Sequence, residues 1–203
     1  GAWEILGEVL SKGDRGYQEL DYIVGTGYGR VNIPFADHQI TEITCHGKGV
    51  YASFPTAKTV IEVGGQDCKV IKLCQGKVED FVMNDKCAAG TGRFLQYMAQ
   101  FLSVSLVDMN TLALTATSRA PINSICTIFA QQEVVGLLSQ GVPADSVIAG
   151  IFDSVARKIL TMAANKGVED DVVLTGGGTQ HAALREAIAR RLKKPLLFPR
   201  DPF

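Results

Sequence analysis

Cys87 lies in Asn84-Asp85-Lys86-Cys87-Ala88-Ala89-Gly90-Thr91-Gly92-Arg93-Phe94, a single cysteine followed by small, glycine-rich residues and then an amphipathic run. Small residues let a partner or an inorganic group come close to the backbone. A helix starting near Gly90 points its first N–H groups back at Cys87, where they stabilise a thiolate. The same residues also describe a tight turn in which the cysteine packs as a small hydrophobe. Cys126, in Ser124-Ile125-Cys126-Thr127, likewise sits at or just before a helix start. Two thiols are too few to hold a four-ligand cluster within one chain, and they supply half of one.

Three glycine-rich turns have phosphate or nucleotide chemistry within reach. Gly64-Gly65-Gln66-Asp67 joins two candidate strands, and its N–H groups can cradle a phosphate while Gln66 and Asp67 orient a water or a metal-bound water. An ordinary hairpin turn is the alternative. Gly176-Gly177-Gly178-Thr179-Gln180 follows a buried strand and precedes a helix, a nucleotide-site layout because the glycines permit close approach to purine, ribose or phosphate. Gly25-Thr26-Gly27-Tyr28-Gly29-Arg30 also follows a short strand, but glycines at alternate positions read equally as a plain strand-to-loop turn. Cys45 and His46, adjacent on a helix, face about 100° apart and read as packing or hydrogen-bonding residues.

The elements that carry these turns follow from hydrophobic periodicity. Helices are expected over Ala2–Leu10, much of Asp37–Phe54, Gly90–Leu102, Val107–Ala116, from Cys126 to Gln140, over Pro143–Lys166 and over Ala182–Leu192. Strands are expected over Leu20–Val24, Thr59–Val63, Cys68–Leu73, Val78–Met83, Asp171–Thr175 and Leu196–Phe198, with Cys68 and Cys74 as buried structural thiols.

At 203 residues the chain is large enough for a real core. Its 20 basic and 21 acidic residues are dispersed and leave a formal charge of −1, which argues against a nucleic-acid footprint or a membrane-surface patch. The apolar runs are too short to span a bilayer. Five cysteines without dense, regular spacing and without a Cys-x-x-Cys pair fit a reducing cytoplasm better than a secreted disulfide framework.

Taken in order, Thr26-Gly27-Tyr28-Gly29-Arg30, Val63-Gly64-Gly65-Gln66-Asp67, Met83 through Leu95, Ser124-Ile125-Cys126-Thr127-Ile128-Phe129-Ala130 and Thr175-Gly176-Gly177 resemble the activator component of 2-hydroxyacyl-CoA dehydratases. The same family includes ATPase subunits of benzoyl-CoA reductase. The resemblance implies the two-lobed α/β fold of actin, heat-shock chaperone ATPases and sugar kinases. Residues 1–57 would be the remainder of the first lobe, 58–192 the second lobe, and 193–203 a segment returning towards the first. It implies ATP/ADP and Mg2+ as ligands, and a homodimer, or a pairing with a related subunit, in which Cys87 and Cys126 of each copy hold one shared [4Fe–4S] cluster. ATP hydrolysis would drive one low-potential electron from ferredoxin or flavodoxin to an acyl-CoA dehydratase or reductase, within anaerobic metabolism.

Carried over to this sequence, the phosphate contacts are Gly64, Gly65, Gln66 and Asp67, and the adenosine contacts Gly176, Gly177 and Gly178, with Glu133 as a ribose candidate. Gln66 orients the attacking water and Asp67 acts through magnesium. Glu62 stands where the family usually has aspartate. The family's first phosphate loop and last helix have no counterpart in these 203 residues, so poor ATP turnover is expected of this stretch alone. The competing readings are a benzoyl-CoA reductase-type ATPase subunit, a small-molecule kinase of the same fold with structural cysteines, and a regulatory protein that keeps the cluster without ATPase activity.

Overall fold

The computed structural model describes residues 1–123 and 126–200 in two compact units, Gly1–Gly49 and Val50–Phe203. Ser124, Ile125 and Asp201–Phe203, which include part of the Cys126 motif, lie outside the described residues.

The first unit contains α1 (Ala2–Lys12), the two-residue strands β1 (Val24–Gly25) and β2 (His38–Gln39), and the start of α2 (Glu42–Ser53). The strand expected over Leu20–Val24 is confined to Val24–Gly25, which pairs in parallel with β2. Tyr17–Glu19 form a 3₁₀ turn instead, its entry held by Glu19 accepting from the Gly16 N–H at 2.6 Å. Asp37–Phe54 opens with the β2 strand before becoming helical. Thr41 starts the helix, its Oγ1 accepting from the Thr44 N–H, and the helix runs through both Gly47 and Gly49.

The second unit is built on a five-stranded sheet of β3 (Thr59–Val63), β4 (Cys68–Cys74), β5 (Lys77–Asn84), β6 (Val172–Thr175) and β7 (Leu196–Leu197). Its order is β5-β4-β3-β6-β7. The first three strands form an antiparallel meander, and β6 and β7 run parallel to β3. β4 and β5 meet at Gln75 and Gly76, both with positive φ (49° and 75°), as a two-residue turn with the twist of the strands requires. Here Cys74 is exposed, contrary to the expected burial, because it ends β4 beside that turn. Cys68 at the other end is buried, and burial pushes its thiol pKa up to about 11.

Five helices complete the unit: α3 (Gly92–Phe101), α4 (Leu106–Thr115), α5 (Thr127–Ser139), α6 (Ala144–Ala164) and α7 (Ala182–Leu192). α6 is the central one. Val147, Ile148, Ile151, Phe152, Val155 and Ile159 recur at helical spacing and are buried in the same core as Ile61, Val63 and Val70 of the sheet and Leu184 and Ile188 of α7. Full burial of six such side chains is worth on the order of 10 kcal/mol before chain entropy is subtracted. The central β3–β6 pair therefore has a rigid backing, and both strands end at the same edge of the sheet.

Candidate functional site

The parallel pairing of β3 with β6 sets Glu62 opposite Thr175, so the turns after both strands emerge side by side. In parallel sheets this carboxyl edge is where ligands bind. Gly176, with φ +87°, passes so close that a Cβ on it would lie 2.5 Å from the Val63 carbonyl oxygen. A Cβ on Gly178 would lie 2.7 Å from Val63 Cγ1. The triplet thus closes against the residue that opens Gly64-Gly65-Gln66-Asp67. Thr179 folds it back, its Oγ1 donating to the Gly176 carbonyl at 2.7 Å. A cavity of about 320 Å³ follows the triplet, lined by Thr179, Gln180, Arg185, Phe198 and Arg200 among others, and the Arg185 guanidinium lies 5.6 Å from the Phe198 ring centre.

Within the hairpin turn the two candidate hydrolytic residues have different environments. Gly65 and Gln66 are exposed, whereas Asp67 is buried. Lys69 explains the burial: its Nζ lies 2.8 Å from Asp67 Oδ1 and 2.7 Å from Glu62 Oε2, with only 7% of its side chain exposed. Burial works against the Lys69 ammonium, but the hydrogen bonds to Asp67 and Glu62 outweigh it and raise its pKa above the ordinary lysine value. A Cβ on Gly64 would lie 2.7 Å from Asp67 Oδ1 and 3.0 Å from Glu62 Oε1, so only glycine lets the two carboxylates converge. Reading residues singly misses Lys69. The hairpin register reveals it, because Val63 faces Cys68 and therefore Glu62 faces Lys69 across the strands.

The turn is fastened to the cysteine segment by backbone. The N–H groups of Gly92 and Arg93, the first two residues of α3, donate to the carbonyls of Gly64 at 2.9 Å and Gly65 at 2.8 Å. This corrects the expected aim of the helix: it starts at Gly92, and its leading amides are committed to the hairpin rather than to Cys87. Cys87 is instead shaped by its own loop. Asn84 Nδ2 donates to the carbonyls of Cys87 (2.8 Å) and Ala89 (2.9 Å), and Thr91 Oγ1 donates to Ala88 at 2.6 Å. Gly90 completes the bend with φ +92°. Neither Asn84 nor Thr91 stands out in sequence, since a side chain that staples its own loop has no periodic signature.

Cys126 occupies the N-cap position of α5 without a side-chain cap bond, and is exposed, while Cys87 is half-buried. The Glu133 carboxylate accepts from the Asn123 N–H at 3.0 Å with both oxygens, bracing the approach to Cys126. Tyr97 of α3 donates its hydroxyl to Gln131 of α5 and so joins the helices that follow the two cysteines. Ala89 and Gly90 from one cysteine loop and Asn123 from the other line a single cavity of about 220 Å³. Among the described residues no three Cys, His, Asp or Glu side chains gather to hold a metal, so the donor set in this region is two thiols. Two thiols on loops that line one cavity, one exposed and one half-buried, are a donor set that fits two of the four thiolates an iron–sulfur cluster takes. Among the described residues no helix is long and apolar enough to cross a membrane.

The family model for the BadF/BadG/BcrA/BcrD ATPase family matches residues 2–198. The activator of lactoyl-CoA dehydratase from Anaerotignum propionicum is 47% identical over 186 residues, covering 91% of this chain and 72% of that protein. The crystal structure of component A of the Acidaminococcus fermentans (R)-2-hydroxyglutaryl-CoA dehydratase superposes with a TM-score of 0.88 at 40% identity, covering 96% of this chain and 76% of that one. The activator of the 2-hydroxyisocaproyl-CoA dehydratase from Clostridium difficile, solved with bound ADPNP, gives the same TM-score at 37% identity, covering 100% and 76%.

Proposed function

The chain belongs to the BadF/BadG/BcrA/BcrD ATPase family, and from that premise we propose that it is an ATP-driven activator delivering one electron at a time to an acyl-CoA dehydratase. Its fold is the actin, chaperone and sugar-kinase type carried by the dehydratase activators it resembles. In this reading Gly64–Asp67 receive the phosphates of ATP and Gly176–Gly178 receive the adenosine. Cys87 and Cys126, with the same pair from a second copy, hold one [4Fe–4S] cluster. The observation that carries the proposal is the pair of backbone hydrogen bonds from Gly92 and Arg93 to Gly64 and Gly65. They make the phosphate turn and the start of the Cys87 helix one mechanical piece.

The division of labour follows from the environments. Gln66, exposed at the tip of the turn, is the side chain available to orient the attacking water. Asp67 and Glu62 are the carboxylates for a hydrated magnesium ion, which neutralises phosphate charge when it is bound with ATP. Lys69 offsets part of their negative charge beforehand and fixes where they point. Glu133 is retained as the ribose candidate, alongside its bracing of Asn123. Loss of the γ-phosphate changes the charge held by the turn, and α3 must follow any shift of the two carbonyls it grips. Tyr97 transmits that shift to α5 and hence to Cys126.

When bound, the cluster supplies a single low-potential electron taken from ferredoxin or flavodoxin and given to the partner enzyme. Ile128 and Phe129, 62% and 61% exposed in the first turn of the helix that follows Cys126, supply the apolar face for a second copy. All five cysteines are free, which suits the reducing cytoplasm the proposal requires.

Anaerobic reconstitution with iron and sulfide tests this reading. The expected product is brown, dimeric and oxygen-labile, with about four irons per dimer, and Cys87→Ser or Cys126→Ser abolishes all three properties. An iron-free protein after anaerobic reconstitution would falsify it.

A further inference from the structure

We propose that Arg157 and Lys158, consecutive cations on α6, are positioning residues for the cysteine half-site: Arg157 anchors the approach to Cys126, and Lys158 supplies positive charge behind the Cys87 loop. The inference rests on the cluster reading given above and deepens it.

The geometry begins with α6. Val155 and Ile159 fix its buried face, so Arg157 and Lys158 emerge about 100° apart on the remaining surface and reach different neighbours. The Arg157 guanidinium donates to the Ile122 carbonyl, in the segment leading to Cys126. The Lys158 stem crosses Gly90, where an added Cβ would meet Lys158 Cγ at 3.1 Å. Both residues line the cavity shared by the two cysteine loops, with Ser154, Asn123, Ala89 and Gly90.

Among the described residues neither makes an ion pair, although Asp153 on the same helix is gripped by Arg190 and Arg191. Both are half-buried, and a half-buried cation without a counterion is a cost unless something negative comes to it. Lys158 already acts in this sense on the buried Cys68 thiol, whose ionisation its charge favours against the larger effect of burial. With the leading amides of α3 committed to the hairpin, Lys158 is the half-buried cation packed against the Cys87 loop at Gly90, whereas Lys86, next to Cys87, is exposed. A positive charge behind a thiolate-held cluster favours its reduced, more negative state and raises its potential.

The test compares Lys158→Met, Lys158→Arg and Arg157→Met in the full chain, each reconstituted anaerobically. Lys158→Met is expected to keep wild-type iron content and to lower the midpoint potential in an EPR-monitored titration. The reduced-to-oxidised ratio at the wild-type midpoint should fall about tenfold, or about 59 mV for one electron, and Lys158→Arg should restore it. Arg157→Met is expected to lose iron to a chelator at least about fivefold faster than wild type, as its approach to Cys126 loosens.

A wild-type potential in Lys158→Met would overturn the lysine's role. Unchanged iron loss in Arg157→Met would overturn the arginine's. A wild-type protein that takes up no iron would instead remove the cluster reading, and both roles with it.

Discussion

The Gly64–Asp67 turn is joined by two backbone hydrogen bonds to the helix that follows the Cys87 loop, yet the turn and the two cysteine loops are built on opposite principles. At the turn, Lys69 binds Asp67 and Glu62, Gly64 gives the carboxylates room, and the glycine triplet closes on Val63. At the loops, the stabilising bonds go to carbonyls, from Asn84, Thr91 and Arg157, while the two thiols remain free and face outward to different degrees. One region has its charges paired inside the chain. The other presents two thiols, two cations without ion pairs among the described residues, and the exposed pair Ile128 and Phe129. The turn is therefore preset by contacts within the chain, whereas the cysteine region leaves its thiols and cations without such pairing among the described residues.

Removing the charge that closes the turn should have the largest effect. Lys69→Met leaves Asp67 and Glu62 buried beside each other without a cation, a change that costs about 3–5 kcal/mol. Urea unfolding at pH 7 measures it, and ATP affinity should fall with it while the cysteine alkylation rates stay near wild type. The pH dependence has a definite sign. Because the folded-state pKa of Lys69 is raised above the ordinary 10.5, its contribution is fully present below that ordinary pKa. It is lost as pH rises through the folded value. Wild type should therefore lose stability in the strongly alkaline range and Lys69→Met should show no such loss. Equal alkaline slopes would mean that the ion triad does not hold the turn.

Much of the closed region is legible in sequence and little of the open one is. The strands Thr59–Val63, Cys68–Cys74 and Lys77–Asn84 and the long helix α6 follow from periodicity and turn residues, because each buries a regular face. Glu62 opposite Lys69 is recoverable once the hairpin is paired. The bonds from Gly92 and Arg93 to Gly64 and Gly65 are not, since they depend on how a helix docks onto a distant turn. Arg157 and Lys158 read as ordinary polar positions on a long amphipathic helix, and their meaning comes only from the loops that α6 happens to support. Leu20–Val24 misleads for a related reason: an apolar run predicts burial, whereas its pairing partner is the two-residue β2, long enough only for Val24 and Gly25.

Damage confined to the cysteine loops should leave the turn intact. Gly90→Ala forces a side chain onto a residue with φ +92° and against Lys158, at a cost of about 1–2 kcal/mol. It should slow iron incorporation while leaving ATP affinity within about twofold, given that Gly64 and Gly65 are held by α3 and not by Gly90. A parallel loss of ATP affinity would show that the two regions share more than those hydrogen bonds. A smaller effect is expected of Tyr97→Phe, which removes one partly exposed hydrogen bond worth about 0.5 kcal/mol. Its value lies in coupling. If Tyr97 links the two helices, the variant should hydrolyse ATP at a near-normal rate while the ATP-induced change in Cys126 alkylation shrinks.

The smallest effect on the folded chain, and the sharpest test of the contrast, comes from Ile128→Gln with Phe129→Gln. Both side chains are more than half exposed, so the isolated chain should keep its stability within about 0.5 kcal/mol. Gln adds no charge beside Cys126 and tolerates the first turn of a helix, so neither thiolate chemistry nor α5 is directly disturbed. If the cysteine region is completed by a second copy, the double variant should sediment as a monomer and take up little iron, although Cys87 and Cys126 are both intact. Since the Gly64–Asp67 turn is closed within the chain, the same monomer should still bind ATP if the turn is the phosphate site. A dimer with full iron content would move the contact surface elsewhere, and a monomer that loses ATP binding would show that the turn, for all its internal pairing, also depends on the partner.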